Sequence, residues 1–439
     1  MQSSFSGRAA IWIGVYLFVV LAPLFALLLG DHPPARDFWT EFADAIAYAG
    51  LAIMGLQFGL TARFRFITQP WGEDVIYYFH RQLTWVALAL VLAHPAILIW
   101  VRPARIAALN VFAAGWRVKY GNFSVYALAA LTALSYGRKR IGLSYEAWHA
   151  THILLALLAI GYGLLHAVAF GFYLQSPLKS GLWVALGAVW IGLFVYTRLV
   201  RPCFLLRRPY RIEEARPERG DSVTLTLRAD GHDGLRFAPG QFAWLSTVTP
   251  FQITGHPFSF ASSAERKDGR IELTIRNLGD FTATLPSMPI GRRVWLDGPY
   301  GAFTMDDADD LPVLIAGGIG VTPMMSMLRT MADRGDRRRV LLIYANRNWD
   351  DVTFREELEA LGKRLDLVVE MVLEEPLPGW TGERGRISVD TIERCVPAPF
   401  DARCYFICGP EPMMDAAEAA LAGLGVPISR YHSERYSFA

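Results

Sequence analysis

Six long apolar stretches fill the first 200 residues of this 439-residue chain: 11–29, 42–61, 76–101, 120–137, 146–170 and 181–200. Each approaches or exceeds the roughly 20 residues that a helix needs to cross a bilayer core of about 30 Å. This half therefore reads as an all-α bundle of six membrane-spanning helices. Residues 210–439 differ, alternating charged and apolar segments as a soluble α/β protein does. The whole chain is 53% hydrophobic, more than an ordinary soluble protein of this size carries. The first stretch follows Arg8, as the core of a signal peptide would. Its run is longer than a typical signal core and no small-residue cleavage site follows, so it reads as an anchor.

A net charge of +2 with no basic cluster argues against nucleic-acid binding. The four cysteines, Cys203, Cys395, Cys404 and Cys408, form no CxxC pair. They imply neither zinc, nor an iron–sulfur centre, nor a disulfide framework. Three of them lie in the soluble half, as suits a reducing cytosol. An even number of spans puts both termini on one side. Loop charge orients the bundle only weakly: Arg63, Arg65, Arg138, Lys139 and Arg140 fall on that side, but Arg102, Arg105, Arg117 and Lys119 fall on the other.

Two of the apolar stretches carry the same spacing. His80 and His94 are fourteen positions apart in the third span, and His152 and His166 are fourteen apart in the fifth. Fourteen helical steps give about 21 Å of rise and only about 40° of rotation. Each helix thus shows two imidazoles on one face, one near each leaflet. Spans three and five run in the same direction, so His80 meets His152 at one level and His94 meets His166 at the other. Two facing imidazoles per level suit haem iron, with two haems stacked across the membrane. Zinc fits less well, because neither level offers an obvious carboxylate or thiolate. His149 lies about 100° off the His152–His166 face and reads as interfacial, with a substitute ligand or a propionate neighbour as the alternatives. Arg81, next to His80, suits a propionate.

The soluble half begins with short β-rich runs, DSVTLTLRA, QFAWLSTV, RIELTIRN and RRVWLDG, which suit an antiparallel barrel. After them, LPVLIAGGIGVTPMMSMLR is an apolar strand, a glycine-rich turn and a helix start. Backbone N–H groups at such a helix N-terminus can receive a pyrophosphate. VLLIYANR and CYFICGPEPMM add strands to an open α/β unit.

With HPFSF, IRNLGDFT, GGIGVTP and CGP in this order, residues 210–439 resemble the ferredoxin–NADP reductase superfamily. The whole chain resembles the NADPH oxidase and ferric reductase superfamily in its compact bacterial form. The resemblance implies three domains: a six-helix haem domain over 1–204, an FAD-binding β-barrel over 205–308 and an NAD(P)H-binding α/β domain over 309–439. It implies FAD contacts from His256, Pro257, Phe258 and Ser259, with Phe258 against the flavin ring and the Ser259 hydroxyl near its N5. Arginine often stands first in that motif; His256 replaces it here, as in the oxidase and reductase branch. Arg276, Gly279 and Thr282 are expected at the FAD phosphates. Gly317, Gly318, Gly320, Thr322 and Pro323 are expected to shape the nicotinamide-dinucleotide loop. Cys408, with Gly409 and Pro410, is expected beside the nicotinamide ring. The C-terminal HSERYSFA resembles an aromatic tail that covers the flavin, with Tyr436 and Phe438 both eligible and Glu434 at an acidic position.

The resemblance further implies a transmembrane NAD(P)H oxidoreductase in a bacterial inner membrane, its FAD and NAD(P)H domains cytoplasmic. Electrons would pass through FAD, then the haem at His80 and His152, then the haem at His94 and His166. The acceptor would be a ferric chelate or dioxygen, with a quinone or a partner protein as alternatives. Oxygen-reducing animal members carry a further histidine one turn beyond the outer ligand of the third span, where this chain has Leu98. Two other readings are an electron-supplying subunit for a dedicated partner and a membrane-anchored flavoprotein without haem. Arg347, after the second strand of the nucleotide unit, suits a 2′-phosphate and so NADPH. Asp350 and Asp351 nearby leave NADH open.

Overall fold

The computed structural model describes residues 2–30, 33–64, 71–252, 255–306 and 311–435, with side chains from residue 10 onward. Tyr436 and Phe438 lie outside the described residues. The chain divides into two compact units, residues 1–70 with 75–201, and residues 71–74 with 202–439.

The first unit is helical: α1 (Gln2–Leu27), α2 (Phe38–Leu60), α3 (Glu73–Val101), α4 (Trp116–Gly137), α5 (Tyr145–Phe170) and α6 (Pro177–Leu206). Side-chain oxygens cap two of these where the sequence turns: Asp37 accepts from Thr40 N at the start of α2, and Ser144 accepts from Ala147 N at the start of α5. Gly171 closes α5 in the left-handed conformation, at φ 63°. Five of the described helices are long and apolar enough to cross a membrane, not the expected six. The exception is α4, which has 22 residues but carries Arg117 and Lys119 in its first turn and Asn122, Ser124 and Thr132 along its length. Asn122, Ser124 and Thr132 are engaged within the bundle. Asn122 Nδ2 donates to the Ala108 carbonyl at 2.8 Å and Ser124 Oγ to the Ala159 carbonyl at 2.6 Å. Helices α4 and α5 pack closely, and Leu51, Leu128, Ile160, Trp183 and Trp190 are among the buried residues of this unit.

The second unit holds two six-stranded sheets. In the first, β1 (Pro209–Glu218), β2 (Ser222–Ala229), β3 (Phe242–Ser246), β4 (His256–Ser259), β5 (Arg270–Arg276) and β6 (Arg293–Tyr300) pair antiparallel in the order β4-β3-β6-β1-β2-β5. The expected barrel is not closed. Strand β4 has only four residues, and a single bridge, Phe260 to Leu273, links the two edges among the described residues. The second sheet is parallel throughout. It comprises β7 (Pro312–Gly317), β8 (Val340–Asn346), β9 (Leu367–Leu373), β10 (Glu383–Arg384), β11 (Cys404–Cys408) and β12 (Tyr431–Ser433), in the order β10-β9-β8-β7-β11-β12. Strands β7 and β11 are buried along their whole length, as parallel strands covered on both faces must be.

One helix stitches the two sheets together. Along α8 (Val321–Arg334; the short α7, Asp280–Thr284, precedes it), four positions on one face reach the first sheet. Thr322 Oγ1 donates to the Thr274 carbonyl at 3.4 Å, and Ser326 Oγ to the Ser262 carbonyl at 2.8 Å. Arg329 Nη1 donates to the Ala261 carbonyl at 2.7 Å and to Glu272 at 2.9 Å, while Thr330 Oγ1 accepts from Ala264 N at 2.9 Å. The rest of the Arg329 fork is taken by Glu357 at 2.6 and 2.7 Å.

Candidate functional site

In the helical unit, the four histidines meet in two pairs. The His80 and His152 rings lie 6.3 Å apart between centroids, and the His94 and His166 rings 6.4 Å apart. A metal–imidazole bond of about 2 Å, plus about 1 Å from ring nitrogen to ring centre, puts two imidazoles on opposite sides of one ion roughly 6 Å apart. Both pairs have that spacing. In each ring Nδ1 is already engaged. His80 donates to Gln57 Oε1 at 2.7 Å, His94 to the Ala43 carbonyl at 2.9 Å and His166 to the Arg117 carbonyl at 2.7 Å. His152 Nδ1 sits 3.3 Å from Ser135 Oγ, whose own proton goes to the Leu131 carbonyl.

Carbonyl and amide oxygens only accept, so the Nδ1 atoms facing them carry the proton and leave Nε2 with its lone pair. That is the tautomer a metal-bound histidine needs, held by the partners that orient such ligands. Among the described residues no group of three or more histidine, cysteine or acidic side chains could hold a metal ion. Two histidines per level suit a metal-bearing group that would bring its other donors with it, as haem would. His149 takes a different partner, with Arg198 Nη2 3.2 Å from its Nε2.

The sequence did not point to the partners Gln57 and Ser135, nor to Gly121. A Cβ on Gly121 would lie 2.9 Å from both Cε1 and Nδ1 of His166, so the bare backbone is what lets that ring seat. A glycine at helical spacing opposite a histidine carries no signal until the two helices are packed.

In the second unit, β4 carries the HPFS motif in register with β3, Ser259 opposite Phe242 and His256 opposite Leu245. Phe281, at the start of α7, stacks on His256 at 3.7 Å between centroids and 14° between planes. Phe258 lies nearly parallel to the same ring, at 6.3 Å and 12°. Phe281 belongs to the IRNLGDFT segment, whose sequence alone gives no sign that this ring meets His256. Pro257 is half-buried in the same strand, while Ser259 is buried. The Thr282 hydroxyl accepts from Leu278 N at 2.8 Å and Gly279 N at 3.0 Å, so it closes its own turn.

The second sheet reverses its winding between β7 and β11, and open sheets bind ligands at the carboxyl ends of such a pair. The residues there are Gly317, Gly318 and Gly320 on one side and Cys408, Gly409 and Pro410 on the other. Close backbone approach explains two of the glycines. A Cβ on Gly320 would collide with the Cys408 carbonyl oxygen and lie 2.8 Å from Gly409 Cα. One on Gly317 would lie 2.5 Å from Met413 Sδ and 2.9 Å from Pro410 Cδ. Pro323 sits in the first turn of α8, where a missing N–H costs nothing. Thr322 donates its hydroxyl to the Ile319 carbonyl at 2.8 Å.

Arg276 comes to the same place from the other sheet, its Nη1 3.4 Å from where a Gly318 Cβ would be. Cys408 is buried, and burial first, then the Glu434 carboxylate, pushes its thiol well above the ordinary range. The thiol therefore stays neutral and is no nucleophile. Arg347, just past the end of β8, is exposed and its Nε contacts Glu375 Oε1 at 3.0 Å.

Three family matches follow the same division. Residues 46–163 match the ferric reductase like transmembrane component, 211–304 an FAD-binding domain and 314–419 the oxidoreductase NAD-binding domain. The stachydrine N-demethylase reductase subunit Stc4 of Rhizobium meliloti (strain 1021) is 30% identical over 228 residues, 50% of this chain and 64% of that protein. The reductase component of propane 2-monooxygenase from Rhodococcus jostii (strain RHA1) is 31% identical over 237 residues, 52% of this chain and 63% of its own. NADH-cytochrome b5 reductase 1 of Pyricularia oryzae is 30% identical over 187 residues, 40% of this chain and 60% of its own. The chain thus spans less than two thirds of the length of these curated relatives. A solved flavohemoglobin from Malassezia yamatoensis, with bound FAD and heme, covers 91% of this chain and 99% of its own at a TM-score of 0.50. Its identity is 18%, which makes it a likeness of fold.

Proposed function

We propose, from the premise that a ferric reductase-like transmembrane component is here joined to FAD- and NAD-binding reductase domains, that the chain carries electrons from NAD(P)H across a membrane. The observation that supports this most is the pair of histidine levels, each at metal-sandwich spacing with the Nδ1 atoms engaged. We take residues 1–204, 205–308 and 309–439 as the haem, FAD and NAD(P)H parts, with the latter two cytoplasmic and the membrane a bacterial inner membrane.

When bound, the nicotinamide supplies a hydride, FAD releases the two electrons singly, and haem iron carries them one at a time. The chain's own residues do the rest. His80 with His152, and His94 with His166, would hold the two b-type haems. Their Nδ1 partners keep each lone pair aimed and each ring fixed. His256, Pro257, Phe258 and Ser259 would hold the flavin ring, Phe258 and His256 offering flat faces and Ser259 a hydroxyl toward N5. Arg276 and the Gly279–Thr282 turn would meet the FAD phosphates. The turn through Gly317, Gly318 and Gly320, with Thr322 and Pro323 behind it, would receive the dinucleotide. Cys408, Gly409 and Pro410 would border the nicotinamide, the neutral thiol filling space without attacking. Tyr436 or Phe438 would cover the flavin. Arg347 would grip a 2′-phosphate once released from Glu375, which makes NADPH the preferred donor and NADH the alternative.

With two histidines of the chain holding each haem, no ligand position would be left for a substrate, and the acceptor would take its electron by outer-sphere transfer. A ferric chelate or dioxygen fits this best. A second reading, an electron supply for a dedicated partner protein, draws on the relatives, whose names describe reductase subunits or components of larger systems. A quinone would suit the same site. The test is anaerobic mixing of the purified full chain with NADPH or NADH, following flavin and haem absorbance. Haem reduction that requires FAD supports the proposal, and a preparation that binds FAD but shows no haem bands rejects it. Turnover with ferric citrate, or with dioxygen with and without superoxide dismutase, then separates the acceptors. No turnover with any small acceptor favours the partner.

A further inference from the structure

The two histidine levels are held by different kinds of group. At one, the neutral Gln57 amide and Ser135 hydroxyl face His80 and His152 at 2.7 and 3.3 Å. At the other, a carboxylate stands beside the ligand: Asp44 Oδ1 is 3.7 Å from His94 Nδ1, whose proton goes to the Ala43 carbonyl. The second oxygen of Asp44 receives Arg36 Nη2. Arg36 also reaches Glu41 at 3.0 Å and lies 3.9 Å over the Phe172 ring. The Asp44 and His94 side chains are 18% and 19% exposed, so water screens their interaction poorly. Another cation, Arg105, is near enough to act on His94.

We propose that Asp44 is a positioning residue that sets the redox potential of the iron held by His94 and His166, lowering it relative to a neutral surrounding, with Arg36 limiting the effect. This rests on the haem reading given above. A negative charge beside the Nδ1 proton makes the imidazole a more basic ligand and favours ferric over ferrous iron. No carboxylate stands as near to a ring nitrogen of the other pair among the described residues. The two levels are therefore built to differ, and the His94 level is the stronger reductant for what it would be with a neutral neighbour.

The test is a potentiometric titration of the full chain in detergent, read from the haem absorption bands. The wild type should give two one-electron waves, one of which disappears in His94→Ala. In Asp44→Asn that same wave should move upward, with the oxidised-to-reduced ratio at fixed potential changing on the order of tenfold. Tenfold is about 59 mV for a one-electron couple. The other wave should stay. Arg36→Gln, which uncovers the carboxylate, should move the same wave down, and Asp44→Glu, which keeps the charge, should restore it. If Asp44→Asn does not assemble, the Arg36→Gln and Asp44→Glu pair still decides. An unmoved wave, both waves moving together, or movement of the other wave alone overturns the proposal. A wild-type preparation without haem overturns the function itself, a result recognisable before any variant is made.

Discussion

Adding one methyl group at Gly320 tests the turn proposed to receive the dinucleotide. A Cβ there would overlap the Cys408 carbonyl oxygen, lie 2.6 Å from its carbonyl carbon and 2.8 Å from Gly409 Cα. Ordinary carbon–carbon contact is about 3.5–4.0 Å, so the new atom is too close to three neighbours at once. All three belong to backbone, in and just beyond a strand paired in register with β7. None of them can swing aside as a side-chain end would. Overpacking of this kind costs about 1–3 kcal/mol, and the fixed neighbours put Gly320→Ala near the upper figure. If the turn stays in place, the strain appears as lost stability, roughly 6–12 °C in Tm for a unit of this size. If the turn moves instead, it appears in nucleotide binding, as a rise in apparent Kd of roughly 100-fold. Gly318→Ala is the control. Its φ of +52° costs an alanine about 1–2 kcal/mol, but its Cβ meets nothing nearer than Arg276 Nη1 at 3.4 Å. The assay is anaerobic stopped-flow reduction of the flavin by NADPH and NADH at varied concentration, beside a thermal melt of each variant. Gly320→Ala with Kd within twofold of wild type and an unchanged melt would refute the close approach.

Single substitutions should sort the haems by level: His80→Ala and His152→Ala remove one and the same b-type signal, His94→Ala and His166→Ala the other. A signal shared by His80 and His166 would contradict the pairing. Gly121→Ala should disturb only the His94–His166 level, because its methyl would press on the His166 ring; low-temperature spectra that change at both levels, or neither, would count against that. Arg347→Ala should lower kcat/KM for NADPH on the order of tenfold and leave NADH nearly untouched, while Glu375→Gln should favour NADPH. An equal loss for both cofactors assigns Arg347 to the shared adenosine. Cys408, neutral and buried, should resist alkylation at pH 8 in folded protein while the exposed Cys203 reacts; rapid modification of Cys408 would mean that the strand end opens.

The features legible in the sequence are those encoded at fixed local spacing. Apolar runs marked the helices, and a fourteen-residue interval put two imidazoles on one face of each of two of them. The strand–glycine turn–helix order placed β7 and α8. What packing decides was not legible. Gln57 and Asp44 sit in α2 and Ser135 in α4, on other helices than the histidines they face, and no interval along the chain connects them. The fourth span reads as a crossing only while Arg117 and Lys119 flank it; in the structure both lie in the first turn of the helix, and the polar Asn122 and Ser124 follow within it. The barrel was expected closed because alternation reveals strands but not whether the outermost two reach each other, and a four-residue β4 does not.

The stitching of α8 to the first sheet limits how a donor molecule can come and go. Arg329 alone holds two contacts across that seam, to the Ala261 carbonyl and to Glu272, and Ser326 and Thr330 add two more. Swinging the nucleotide half open as a lid would break them together, with each buried charge-assisted bond contributing on the order of 1.5–3 kcal/mol. Exchange of NAD(P)H for its oxidised product must then proceed through displacements of single rings or short stretches of chain. The scattering profile of the FAD and NAD(P)H unit should be the same with and without nucleotide, and turnover should tolerate a crosslink placed across the seam.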